Sequence, residues 1–90
     1  MNRIDLFRSS LRDAGLLKEK YPSSAPLQSV IDQLEYLINL ESGKSMDSSR
    51  LTAINIGAIA AREVEELDME TAEKLYAVTD AVGQMITEYE

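Results

Sequence analysis

The sequence predicts an all-α fold, a compact antiparallel bundle of three to four helices. Apolar residues recur with a helical period in four segments of the 90-residue chain, and no segment shows the sustained alternation of a strand. One stretch, residues 51–68, runs from almost entirely apolar or small residues into a dense acidic end. A helix that is apolar on most sides is typical of the interior of a bundle. We therefore expect this segment to be a central, largely buried helix.

Proline and glycine define the ends of the first two helices. Helix 1 is predicted over residues 3–20, and the segment Tyr21–Pro26 ends it because each proline disfavours a helical conformation in the residue before it. Helix 2 is predicted over residues 25–41, with Pro26 tolerated in its first turn and Gly43 suited to its C-terminal cap. The predicted inner faces are Ile4, Phe7, Leu11 and Ala14 in helix 1, and Leu27, Val30, Ile31, Leu34 and Ile38 in helix 2.

Aspartates are predicted to cap the other two helices. Asp47 is a suitable N-cap for the central helix at about 48–66, and Asp68 for helix 4 at about 69–88. Short connections predict that sequential helices pack antiparallel. The inner face predicted for helix 4 is Thr71, Leu75, Val78, Val82, Met85, Ile86 and Tyr89.

Three small residues in the central helix predict a close helix–helix contact. Ala53, Gly57 and Ala61 recur every four residues and share one side of the helix. Glycine costs about 1 kcal/mol relative to alanine inside a helix, so Gly57 indicates a packing requirement. The favoured interpretation is a core helix with a groove that a neighbouring helix enters.

Composition argues against catalysis and against a cofactor or metal site. The chain has no cysteine and no histidine, and its four glycines are isolated, so thiolate sites, imidazole bases and phosphate loops are not expected. Its 16 acidic and 9 basic residues give a net charge of -7, which disfavours nucleic acid and anionic membranes. No apolar stretch is long enough to span a membrane. We expect a single domain in the cytoplasm, and an apolar central helix is compatible with a homodimer or a monomer.

The outer side of the central helix is the main candidate binding surface. Thr52, Asn55, Ile59, Arg62, Glu63 and Glu66 fall within one sector of the helical wheel, and Glu65 and Asp68 lie close by. A charge run of this kind is most often a solvated face, and Asp68 is explained by capping alone. The functional alternative is an acidic recognition surface with Ile59 as its apolar anchor. The candidate partner-binding residues there are Asn55, Ile59, Arg62, Glu63, Glu66 and Asp68.

Tyr36 is a further candidate for partner binding. It lies on the opposite side of helix 2 from Leu27 and Leu34, and tyrosine is enriched at interface hot spots. The alternative is that helix 2 packs on two sides and that Tyr36 is partly buried.

Two other functions fit parts of the sequence. Asp47-Ser48 before a helix superficially resembles the phosphopantetheine site of acyl carrier proteins, although Ser49 stands where those proteins usually have leucine. A non-inhibitory adaptor or chaperone for a basic protein also fits the acidic composition.

A set of residues between positions 21 and 75 follows one order: Tyr21-Pro22, Leu27, Ser29, Gln33-Leu34, Tyr36, Ser45, Asp47, Ser49, Leu51, Gly57, Ile59-Ala60, Arg62-Glu63, Glu66, Asp68, Glu70 and Leu75. This order resembles the small all-helical immunity proteins of bacterial type VI secretion systems, in particular the family whose founding member neutralises an NAD(P)+-hydrolysing effector. The chain departs from the family pattern at Val64, Glu65, residues 23–26 and residues 37–44.

The resemblance implies a stoichiometric inhibitor rather than an enzyme. Such a protein binds its cognate toxin domain in the bacterial cytoplasm and blocks the active site. For the founding member the toxin is an NAD(P)+ glycohydrolase, so the resemblance implies a toxin that degrades NAD(P)+.

Overall fold

Four helices account for most of the structure, a computed structural model that describes residues 2–89. α1 spans Arg3–Lys20, α2 spans Ala25–Glu41 and α4 spans Met69–Tyr89, close to the predicted ranges. The much shorter α3, Ile56–Ile59, lies between α2 and α4. The predicted all-α fold class is confirmed.

Local sequence explains where the long helices begin and end. The Ser24 hydroxyl accepts a hydrogen bond from the Leu27 amide at 3.2 Å, which caps the start of α2. Asp68 caps α4 as predicted, and its carboxylate accepts from the Glu70 amide at 3.2 Å. Gly43 follows the end of α2 with a φ of 83°, a left-handed conformation that favours glycine.

The long helices are arranged around α1, which packs against both α2 and α4. α1 and α4 run antiparallel, because Arg3 pairs with Glu88 while Asp13 pairs with Lys74. α3 also packs against α2 and α4, and so bridges them. The core contains Phe7, Ala14, Leu17, Leu27, Val30, Leu34, Leu37, Leu40, Leu51, Ile56, Ile59, Ala60, Val64, Ala72, Leu75, Val78, Ala81, Val82 and Met85.

The prediction of one helix over residues 48–66 is wrong. The chain forms a 3-10 turn at Leu51–Ala53, then α3, and then a π-helical turn at Ala60–Val64. Asp47 does not cap a helix here. Its carboxylate instead accepts hydrogen bonds from the amide and hydroxyl of Ser49, at 3.0 and 2.5 Å, in a local turn.

These breaks change which residues face the core. Ile59, expected on the outer surface, is only 7% exposed. Ala53 and Ala61, expected in a groove, are exposed, so close contact is found at Gly57 alone. The helical wheel failed because a 3-10 turn and a π turn each advance by a different angle from an α-helix. Tyr89 was also predicted to face inward, but it is exposed at the end of α4.

An ion-pair network joins three helices at one end of the bundle. The Arg3 guanidinium donates to both Glu41 carboxylate oxygens at 2.6 and 3.0 Å, and to both Glu88 oxygens at 2.6 and 2.9 Å. These hydrogen bonds from Arg3 lower the pKa of Glu88, and the Glu88 and Glu41 bonds raise the pKa of Arg3. The start of α1 is thereby fixed to the ends of α2 and α4.

We expect Gly57→Ala to lower the free energy of unfolding by about 1–3 kcal/mol through overpacking. A Cβ at this position would lie 2.7 Å from the Thr79 hydroxyl oxygen and 3.3 Å from its methyl group. Chemical denaturation measures the change. In a Thr79→Ala background the cost of Gly57→Ala should shrink, because the two closest atoms are removed.

Gly83→Ala is the matched control, since a Cβ at Gly83 in α4 meets no atom within 4 Å. It should stabilise the protein by about 0.4–1 kcal/mol by restricting the unfolded chain. An equal effect of alanine at both glycines would contradict the Gly57–Thr79 contact.

We expect Glu88→Gln to lower the thermal midpoint at neutral pH but to have little effect in acid. A carboxylate whose pKa is lowered by folding adds stability above its unfolded value, 4.5 for Glu88, and loses it as pH falls through the folded value. The difference from the unmodified chain should therefore shrink as the pH falls below 4.5 and disappear once the pH lies below the folded pKa of Glu88. The control Glu73→Gln changes an exposed carboxylate on the same helix and should leave the midpoint unchanged. A Glu88→Gln deficit that persists in acid would argue against the ion pair.

Candidate functional site

Side chains of α2 hold the segment of residues 42–55 that leads to α3. The Tyr36 hydroxyl donates to the Asp47 carbonyl at 2.7 Å and accepts from the Arg50 amide at 3.3 Å. The Arg50 guanidinium carbon lies 4.8 Å from the centre of the Tyr36 ring, a cation–π contact. Tyr36 is thus half-buried against the core, and both its hydroxyl and its ring already contact residues of the same chain.

Gln33 positions Asn55 at the start of α3. The Gln33 side chain donates to the Asn55 side-chain oxygen at 2.7 Å and accepts from the Asn55 backbone amide at 3.0 Å. Two hydrogen bonds from one amide group fix both the side chain and the backbone of Asn55. Sequence reasoning did not assign this role to Gln33, because its partner lies 22 positions away and no local pattern indicates the pair.

A cleft of about 170 Å³ lies where α2 faces this segment. Its lining is mostly apolar, and Asp32 and Arg50 place opposite charges in it. It is lined by Asp32, Gln33, Tyr36, Arg50, Ala53 and Ile54. Tyr36 and Gln33 therefore support the segment, and together with Arg50 of the segment they border a surface that a partner can reach.

The acidic turn, defined here as residues 62–68, carries most of the predicted binding residues. Arg62, Glu63 and Glu66 are exposed, as the helical wheel predicted for them. Within residues 2–89 no hydrogen bond or ion pair engages the side chains of these three residues. Their charged groups are therefore available to solvent or to a partner.

Two acidic residues of the same turn have structural partners. Asp68 accepts from the Glu70 amide and from the Thr71 hydroxyl, the latter at 2.9 Å, so capping occupies both of its oxygens. Glu65 accepts a short hydrogen bond from the Tyr76 hydroxyl, which raises the pKa of Tyr76. These contacts attach the acidic turn to α4, while the charged groups of Arg62, Glu63 and Glu66 stay exposed to solvent.

The structure therefore divides the predicted binding residues into two groups. Arg62, Glu63, Glu66 and Asp68 lie together on the acidic turn. Asn55 lies on the segment held by α2, and Tyr36 lies on α2 and bonds to that segment. The remaining candidate, Ile59, belongs to the core.

The structure also bears on the carrier-protein alternative, on metal binding and on membrane spanning. Ser48 precedes a three-residue 3-10 turn rather than the long helix that the carrier-protein alternative assumed. Among residues 2–89 no three acidic side chains are grouped so that they could hold a metal ion. In the same range no helix combines the length and apolar character needed to cross a membrane.

Comparison with known proteins gives a family match over nearly the whole chain. The family model described as Tsi6 matches residues 2–84. The solved structure of Tsi6 from Pseudomonas aeruginosa is similar, with 27% sequence identity and a TM-score of 0.84, over 91% of this chain and 85% of that chain. The comparison with curated proteins gave no match. The resemblance to small helical type VI secretion immunity proteins is thus confirmed, and the chain belongs to the Tsi6 family.

Proposed function

We propose that this protein is a cytoplasmic immunity protein that binds a cognate toxin domain delivered by type VI secretion and blocks its active site. The toxin we propose degrades NAD(P)+. The observation that carries this proposal is an exposed acidic surface on a member of the Tsi6 family. The protein acts as one helical domain, without catalysis, and its effect is stoichiometric.

Charge supports the acidic turn as the toxin-binding surface. Residues 23–90 hold 13 acidic and 4 basic residues, and five of the acids fall within positions 63–70. A cleft that binds an anionic dinucleotide tends to be electropositive. An acidic surface occupies the same electrostatic field as the substrate phosphates and also accelerates encounter.

The segment held by α2 supplies a second part of the proposed contact. Asn55 and Arg50 are exposed, yet each is fixed from α2, by Gln33 and Tyr36 respectively. Binding through groups that are already ordered loses less conformational entropy than binding through mobile ones. In this proposal Tyr36 acts mainly through the segment that it positions.

We expect co-expression of this protein to rescue growth of bacteria that produce the toxin domain encoded beside it. NAD(P)+ levels should remain normal in the rescued cells and fall in cells that make the toxin domain alone. The purified pair should form a stable complex in which NAD(P)+ hydrolysis stops at one equivalent. Binding without loss of hydrolysis would instead support the adaptor alternative, and absence of rescue would reject the proposed function.

We expect the double variant Glu63→Gln and Glu66→Gln to associate with the toxin domain about threefold to tenfold more slowly at low salt, since steering charges act mainly on the association rate. Its rate should also depend less on salt concentration. Stopped-flow or surface-based kinetics measures both effects. The double variant Glu73→Gln and Asp80→Gln removes the same charge from exposed positions of α4 and should change the rate less. Equal slowing by both double variants would mean that the net charge of the protein, and not the position of the acidic turn, sets the association rate.

A further inference from the structure

A second cleft adjoins the acidic turn, between the C-terminal part of α1 and the first turn of α4. Its volume is about 210 Å³. Leu16 and Leu17 of α1 form one side, and Asp68 and Glu70 lie on the other. The remaining lining residues are Asp13, Lys20 and Thr71. Asp68 belongs to both the cleft and the acidic turn, so the two features are continuous.

Two exposed apolar residues are associated with this cleft. Leu16 lines it and is 55% exposed, and Met69, which lies in the chain between the lining residues Asp68 and Glu70, is 49% exposed. Isolated apolar residues on a surface are common, but Leu16 lines a concave surface and Met69 is the chain neighbour of two residues that line it. Ile59 was expected to be the apolar anchor of the acidic surface, but it is buried. Leu16 and Met69 are the exposed apolar residues that can act as anchors instead.

The cleft keeps an excess of negative charge. Asp13 is paired with Lys74, whose ammonium nitrogen lies 2.6 Å from the carboxylate, and Asp68 caps α4. Within residues 2–89 the Glu70 and Glu66 carboxylates form no hydrogen bond or ion pair. Lys20 is the basic residue of the lining, and its positive charge offsets one of the negative charges of Glu66 and Glu70.

We propose that this cleft and the acidic turn form one docking surface for a basic segment of the toxin. Leu16 and Met69 pack against an apolar side chain or the aliphatic stems of lysine or arginine, and Glu66 and Glu70 pair with the charged ends. This inference rests on the proposed function and assigns the residues that hold the toxin. Arginine and lysine suit such a site because their stems are apolar and their ends charged.

Charge argues against two other occupants of this surface, a second copy of the chain and an anionic membrane. A second copy of the chain would bring two acidic turns together, and the net charge of -7 opposes that contact. An anionic membrane is repelled by the same carboxylates. A basic protein segment satisfies both the apolar and the acidic parts of the surface.

The test compares Leu16→Ala and Met69→Ala with the unmodified chain in calorimetric titrations of the toxin domain encoded beside it. Each variant should raise the Kd about fivefold or more, the effect of truncating a contact residue at the centre of an interface. Tyr89→Ala is the matched control, because Tyr89 is 44% exposed and lies at the end of α4 remote from this cleft. Its Kd should equal that of the unmodified chain.

Thermal midpoints show whether the variants fold, and Leu16→Gln and Met69→Gln replace the alanine variants if those lower the midpoint. Unchanged affinity in the Leu16 and Met69 variants, beside a tight complex of the unmodified chain, would overturn this inference and leave the proposed function intact. A Tyr89→Ala effect of equal size would overturn it too. Absence of any complex with the unmodified chain would reject both. A dimer in sedimentation experiments that Leu16→Ala dissociates would assign the surface to a second copy instead.

Discussion

The attachment of residues 42–55 to the side of α2 is the constraint on which the rest of the structure depends. This segment has few helical hydrogen bonds of its own, so side chains of α2 must satisfy part of its backbone. Tyr36 bonds the Asp47 carbonyl and the Arg50 amide, and Gln33 bonds the Asn55 amide. Because Asn55 directly precedes α3, these bonds help to set the rotation of α3 about its own axis.

The burial of the middle of the chain follows from that rotation. Ile56 and Ile59 point into the core from α3, and the π turn then brings Val64 inward as well. The charged residues between Ile59 and Asp68 must consequently face outward. The acidic turn is therefore a product of how α3 is positioned, and its attachment through Asp68 and Glu65 keeps it against α4.

The long helices could be predicted from the sequence because their signals are local. Proline, glycine and capping residues lie at their ends, and their apolar residues keep a constant period. Residues 51–64 give a weaker signal, because most of them are apolar or small and their polar sector was placed with the period of one continuous α-helix, which the 3-10 and π turns break. Ile59 was misplaced for that reason. The bonds from Gln33 and Tyr36 that interrupt the segment join residues far apart in sequence, and an acidic cleft shared by α1 and α4 appears only once those helices are packed.

The Arg3 network also fixes where the two ends of the chain leave the bundle. Arg3 and Glu88 are in direct contact, while the start of α4 lies about 30 Å away along the helix, at 1.5 Å per residue. Arg3 and Glu88 therefore both lie at the end of the bundle remote from Asp68. A label or a fused protein inserted beside either residue would start far from the acidic turn, and the two positions are close enough to be joined in a circularly permuted chain.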